Sequence, residues 1–256
     1  MGKVRILILG GTTEARKLAE RLATRTDLDI VLSLAGRTAE PLPLPVPVRS
    51  GGFGGPEGLA QFLRLEDIGL MIDATHPFAE RISANATEAA RLADVPAFSL
   101  RRPGWEPGDG DRWISVSSIA AAVEALGPSP RRVFLTIGRQ EAYHFNAAPQ
   151  HRYFVRSIDP VEPPLRVPQA TYILSAGPFT LEGESRLLQA ERIDVIVSKN
   201  SGGTAAYAKI EAARLLGIDI VMVERGTRAG LPAVASIEAA LDEIDHLFSP
   251  AMKRGV

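Results

Sequence analysis

Three polar stretches stand where short apolar runs end: Leu9-Gly10-Gly11-Thr12-Thr13-Glu14-Ala15, Asp73-Ala74-Thr75-His76-Pro77-Phe78 and Ser198-Lys199-Asn200-Ser201-Gly202-Gly203-Thr204. The first has the makings of an anion cradle. Glycines let the backbone approach a pyrophosphate closely, and the N–H groups that open a helix favour negative charge. The run resembles a shortened G-x-G-x-x-G fingerprint, with Ala15 where the last glycine packs helix on strand. Gly10, Gly11, Thr12, Thr13 and Glu14 are therefore candidate cofactor contacts. Glu14 fits awkwardly, because a carboxylate competes with phosphate for the same donors, unless it points sideways to a ribose or to backbone. A tight strand–helix turn without a ligand is the competing reading.

The end of the next apolar run bears on which dinucleotide would bind. A site selective for the cofactor lacking a 2′-phosphate carries an acidic residue about 20 residues beyond the glycines. Here the run ends in Ser33, Gly36, Arg37 and Thr38, with no carboxylate before Glu40. An arginine among hydroxyls suits a 2′-phosphate, which it grips through charge-assisted bidentate bonds. The expectation is NADPH over NADH.

The other two stretches offer proton and anion chemistry. His76, in a turn before Pro77, can donate to an anion or move a proton, and Asp73 either caps that turn or supplies the proton; both are the candidate catalytic residues. Lys199, Asn200, Ser201 and Gly202 form a glycine-containing turn that can hold substrate carboxylates or part of a cofactor diphosphate. Arg139 and Arg225 join them as candidate substrate contacts, and Arg81 and Arg156 add to a cationic set suited to a polycarboxylate. Solvated ion pairs and ordinary hydrogen-bonding side chains are the plain alternatives at each position. The lysine turn is not a Walker A, and no G-x-S-x-G is present, so ATP hydrolysis and serine-hydrolase chemistry are disfavoured.

Composition narrows the field further. The 256 residues carry 29 Lys+Arg against 30 Asp+Glu, which argues against a general nucleic-acid or membrane-surface binder. Cysteine is absent, which excludes disulfides, thiolate nucleophiles, Fe–S clusters and Cys-ligated zinc. The histidines His76, His144, His151 and His246 lack metal-ligand spacing, so no metal is expected. The opening run Val4–Leu9 is too short to span a membrane, and Ile6 speaks against myristoylation at Gly2. A soluble cytoplasmic protein is the expectation.

The polar clusters need elements to position them, and the sequence supplies an alternation. Strands are predicted at 4–9, 29–34, 68–73, 97–100, 132–137, 153–156, 172–175, 193–197 and 218–223. Helices are predicted from about Ala15 to Leu22, over 57–65, from Ala79 to Ala93, over 118–126, through Ala205–Leu216 and over 237–247. The prolines at 41, 43, 45 and 47 predict an extended segment, and Gly51–Gly55 a loop able to approach a ligand. The result is α/β: two Rossmann-like domains with mainly parallel sheets and a ligand cleft between them. The boundaries are read as 1–104, cofactor-binding, and 112–256, substrate-binding, with the Gly-, Pro- and Asp-rich stretch 105–111 as linker. A faint echo, Ser117–Ala122 against Ala235–Ala240, reads as shared helix-start chemistry.

Taken in order along the chain, the three stretches resemble the precorrin-6A reductase family of cobalamin biosynthesis, Asp73-Ala74-Thr75-His76-Pro77-Phe78-Ala79 being the most specific element. The resemblance spans essentially the whole chain. It implies NADPH-dependent reduction of precorrin-6A, a ring-contracted tetrapyrrole, to precorrin-6B by saturation of its C18–C19 double bond. It also implies two Rossmann-like domains with the ligands between them, and neighbouring enzymes of the pathway as possible partners. A many-carboxylate tetrapyrrole would account for the distributed basic residues. The residues alone leave open another NADP-dependent oxidoreductase, a two-domain nucleotide-sugar transferase and a nucleotide-sensing module.

Overall fold

In the computed structural model, residues 3–35, 43–226 and 230–248 are described. The chain forms two compact units, one of Met1–Pro103 with Arg228–Val256, the other of Gly104–Thr227.

The first unit alternates strand and helix: β1 (Val4–Leu9), α1 (Thr13–Leu22), β2 (Leu28–Leu34), β3 (Val48–Ser50), α2 (Pro56–Leu65), β4 (Ile68–Asp73), α3 (Glu80–Ala93) and β5 (Ala97–Leu100). The second contains β6 (Trp113–Val116), α4 (Ile119–Ala125), β7 (Arg132–Thr136), a 3-10 helix (Ala142–Ala147), β8 (Arg152–Ser157), β9 (Ala170–Leu174), α5 (Leu181–Ala190), β10 (Val195–Lys199), α6 (Ala208–Leu216) and β11 (Asp219–Val223). The chain then returns to the first unit with β12 (Ala233–Val234) and α7 (Ile237–Phe248).

Both sheets are parallel throughout. The first is ordered β3-β2-β1-β4-β5-β12 and the second β9-β8-β7-β10-β11-β6. Each has the order of a doubly wound dinucleotide fold, with a reversal beside its central strand. The sixth position is filled unusually: β12 comes from the end of the chain and β6 from its middle. The faint sequence echo falls on these equivalent places. Ser118 accepts from the Ala121 N–H and Ser236 from the Ala239 N–H, both at 3.1 Å, so each helix that follows a sixth strand starts under the same serine cap.

The boundaries read from sequence need correction at two places. Residues 228–256 belong to the first unit, not to a second domain running to the end. Ala240 and Ile244 of α7 pack with Leu18 and Leu22 of α1 over Ile6, Ile8 and Ile72, and that apolar face fixes the assignment. Nor is 105–111 a linker: Trp105 is buried in the core of the second unit with Phe134, Phe154 and Ile210. Asp111 accepts from Arg214 at 3.0 and 2.9 Å and from the Gly108 N–H at 2.7 Å. Glycine and proline density signalled a connector, but one large aromatic side chain and one paired carboxylate anchor it.

Packing follows strand periodicity. Ile6 and Ile8 face α1 and α7, whereas Leu7 and Leu9 face Leu59 and Leu63 of α2 and Ala86 and Ala89 of α3. In the second unit Leu188 of α5 and Ile210 of α6 cover Phe134, Phe154, Ile196 and Ile220, and α4 packs against β6, β11 and the 3-10 helix.

Candidate active site

The carboxyl ends of β1 and β4 flank the reversal of strand order in the first sheet, where open α/β sheets bind ligands. Two of the polar stretches meet there. The Ala74 N–H donates to Leu9 O at 2.9 Å, and Thr12 Oγ1 donates to Ala74 O at 2.8 Å while accepting from the Ala15 N–H at 3.1 Å. Thr12 is thus both the N-cap of α1 and the tie between the glycine turn and the His-Pro turn. Its hydroxyl serves the scaffold, which leaves Gly11, Thr13 and the helix start to face a ligand.

Both glycines of the turn have a physical reason. At Gly10 a Cβ would lie 2.8 Å from Leu32 Cδ1, so helix and sheet need the missing side chain to close. Gly11 has φ +116° and open space where a Cβ would stand. A helix leaves its first N–H groups without intrahelical partners. Thr12 takes that of Ala15, so those of Thr13 and Glu14 remain at the positive end of the dipole, beside the open face of Gly11. An anion of diphosphate type fits this cradle.

Glu14 is answered from β5. Arg102 makes an ion pair with the Glu14 carboxylate, and both side chains are mostly buried. The carboxylate turns away from the role of phosphate competitor and meets a guanidinium. Arg101, next to it, lies 3.7 Å from Asp73 Oδ2. The two consecutive arginines after β5 thus each take a carboxylate from a turn at the strand-order reversal.

Asp73 is buried, and it accepts from the Thr75 N–H at 3.1 Å and the Thr75 hydroxyl at 2.6 Å. These partners and the nearby Arg101 are donors, an arrangement that fits the cap of the turn, the plainer of the two readings. His76 Nδ1 accepts from the Phe78 N–H at 3.3 Å, which orients the imidazole within the turn.

Ser33 is the penultimate residue of β2, beside β1, with its carbonyl accepting from the Gly10 N–H at 2.8 Å. Its hydroxyl takes a bond of 3.2 Å from Arg49, its register partner on β3. Arg49 also donates to Gly51 O at 2.7 Å and Gly52 O at 2.8 Å and lies 3.8 Å from the Phe53 ring centroid, so it shapes the glycine loop after β3. Burial pulls its pKa down from the ordinary arginine value. Arg49 was missed in the sequence because it stands alone between a proline run and a glycine run. Gly36, Arg37 and Thr38 lie outside the described residues.

In the second unit, the expected substrate groups gather at the carboxyl edge of β7, β10 and β11. Lys199 pairs with Glu141, Arg139 lies 3.7 Å from Asp159, and Arg225 Nε donates to Asn200 O at 2.7 Å. The Ser201 N–H donates to Lys199 O at 2.7 Å, and Gly202 is buried in the same turn. This edge is therefore a mixed-charge surface, with ion pairs at Lys199 and Arg139. Arg156 leaves the set altogether: it is buried against Glu184, 3.7 Å from the Phe179 ring centroid. Arg81 stands exposed on α3. Asn200, expected to touch substrate, spends its amide within the unit. Its Oδ1 accepts from the Trp105 N–H at 2.7 Å, and its Nδ2 donates to Trp105 O and Glu224 Oε2, each at 2.9 Å. Among the described residues no helix is long and apolar enough to cross a membrane, and no cluster of metal-ligating side chains is found.

The family model for precorrin-6x reductase CbiJ/CobK matches residues 5–245. A precorrin-6A reductase of Sinorhizobium sp is 58% identical over 98% of this chain and 96% of its own length. A solved structure of CobK precorrin-6A reductase superposes with TM-score 0.91 at 44% identity, covering 95% of this chain and 96% of that one. A cobalt-precorrin-6A reductase of Priestia megaterium stands further away, at 29% identity over 86% of this chain and 90% of its own. A reductase of this kind draws on a nicotinamide-type cofactor. With agreement from end to end in both sequence and fold, this chain belongs to the precorrin-6A reductase family of cobalamin biosynthesis.

Proposed function

We propose that this chain uses NADPH to reduce precorrin-6A to precorrin-6B, saturating the C18–C19 double bond of the macrocycle. The observation that carries the reading is the tie from Thr12 to Ala74, which fixes an anion-accepting glycine turn beside a histidine turn. When bound, the dinucleotide supplies the hydride. Gly11 and the N–H groups of Thr13 and Glu14 hold its diphosphate, and Ser33, Gly36, Arg37 and Thr38 address the ribose and 2′-phosphate end. His76 positions the reacting part of the macrocycle or passes a proton. In the second unit, Arg139, Lys199, Ser201, Gly202 and Arg225 meet the carboxylate side chains, with Asn200 holding their loop in shape. A conjugated, partly cationic macrocycle is already electrophilic, so these residues act mainly by orientation and exclusion of water.

The greater likeness to relatives named for the cobalt-free substrate supports precorrin-6A over its cobalt complex. The test is an absorbance assay of the purified chain with precorrin-6A and NADPH, repeated with NADH and with the cobalt form. Equimolar loss of NADPH and precorrin-6A is expected, with NADH and the cobalt form each poorer, and Arg37→Ala is expected to raise KM for NADPH alone. Binding without oxidation, or equal use of NADH by the native chain, overturns the assignment.

A further inference from the structure

Glu14 presents a problem that the reductase assignment does not solve. It is the second residue of α1, within the helix turn that is to receive a diphosphate, and it is an anion. A carboxylate there satisfies the helix dipole by itself and repels a second anion. The structure shows what relieves this. The Arg102 guanidinium meets Glu14 Oε2 through Nη1, and the two side chains are only 17% and 23% exposed, so solvent screens the pair weakly. The partners are 88 residues apart, and Arg102 sits two positions beyond β5.

From this pair we infer that Arg102 is a positioning residue for the cofactor: it draws the Glu14 carboxylate aside, cancels its charge, and so lets the α1 start accept a diphosphate. Two consequences separate this role from mere scaffolding. Loss of the arginine harms anion binding because a bare carboxylate is left, so removing that carboxylate as well restores it. A lysine, which keeps the charge but lacks the planar fork, restores it in part. This inference rests on the NADPH reading above, and its experiment tells the two apart.

The experiment is titration of NADPH into the native chain and the Arg102→Gln, Arg102→Lys and Arg102→Gln/Glu14→Gln variants, followed by nicotinamide fluorescence, with thermal midpoints and steady-state kinetics in parallel. Arg102→Gln is expected to raise Kd and KM for NADPH roughly tenfold while kcat stays within about twofold. The double variant is expected to return Kd to within about threefold of native, and Arg102→Lys to fall between. Because the double variant removes the Glu14 carboxylate together with the guanidinium that meets it, it reports even where Arg102→Gln fails to fold. Native-like binding by Arg102→Gln, or a double variant as weak as the single one, overturns the inference while leaving the cofactor reading intact. A native chain that does not bind NADPH overturns both.

Discussion

The side-chain amide of Asn200 pairs with both backbone groups of Trp105, as a neighbouring strand would. It does so across 95 residues, with its remaining N–H on Glu224. The Trp105 indole N–H donates to Gly203 O at 2.7 Å, so the segment entering the second unit and the loop after β10 are clipped together at both ends. Asn200→Ala would leave a buried N–H and C=O of Trp105 unmet, and each such group costs about 1–3 kcal/mol. An expected loss of about 3 kcal/mol in urea unfolding follows, with a weaker substrate affinity because Ser201 and Gly202 lose their support. Asn200→Asp is expected to be worse at pH 8 than at pH 5, since its carboxylate would face Trp105 O and the Glu224 carboxylate. A native unfolding midpoint for Asn200→Ala would refute the clip.

A second expectation concerns Lys209 on α6. It is buried, donates to Ala206 O at 2.9 Å and lies 4.8 Å from the Trp105 ring centroid. Burial first, and the neighbouring Arg156 guanidinium second, push its pKa down to about 7, against a smaller pull from Glu184. The folded value lies below the unfolded one. Between about pH 7 and 10 the unfolded chain therefore binds a proton that the folded chain lacks, and stability from this group rises with pH across that window. Below about pH 7 the cost stays constant. Lys209→Met is expected to raise stability at pH 7 by on the order of 1–4 kcal/mol, seen as a higher thermal midpoint, and the gain should shrink toward pH 10. A difference that does not change with pH would show that Lys209 is not the titrating group.

Much of this architecture is legible in the residues because the strands are buried on both faces and read as unbroken apolar runs, as at Ile6–Leu9 and Val195–Val197. The elements that escape are those without such a run. β12 has two residues and β6 alternates Trp113, Ile114, Ser115 and Val116 at a sheet edge, so neither carries a periodic signal. α5, with Glu184 buried to meet Arg156, looks too polar to be a packed helix. The turns of the site were found through glycine, histidine and lysine, which announce themselves. Their partners were not: Glu14 and Arg102, Lys199 and Glu141, and Asn200 and Trp105 are distant in sequence, and long-range pairing leaves no local pattern.

The last expectation separates scaffold from chemistry in the turn after β4. Asp73 and His76 lie three positions apart, yet their contacts differ in kind. Asp73 is buried and accepts from both the backbone and hydroxyl of Thr75 with Arg101 nearby, so its loss dismantles the turn. His76 Nδ1 accepts from the Phe78 N–H, and the turn is also held from Ala79 N–H to His76 O at 2.7 Å, a contact that does not depend on the imidazole. Asp73→Asn is therefore expected to cost about 1.5–3 kcal/mol of stability, the range for hydrogen bonds to a charged group. His76→Ala is expected to keep a native unfolding midpoint while kcat with precorrin-6A falls at least about tenfold. Measured together, the two variants decide where the chemistry sits. Full turnover by His76→Ala would remove the imidazole from the reaction. An Asp73→Asn chain that folds with native stability but does not turn over would move the proton to the carboxylate instead.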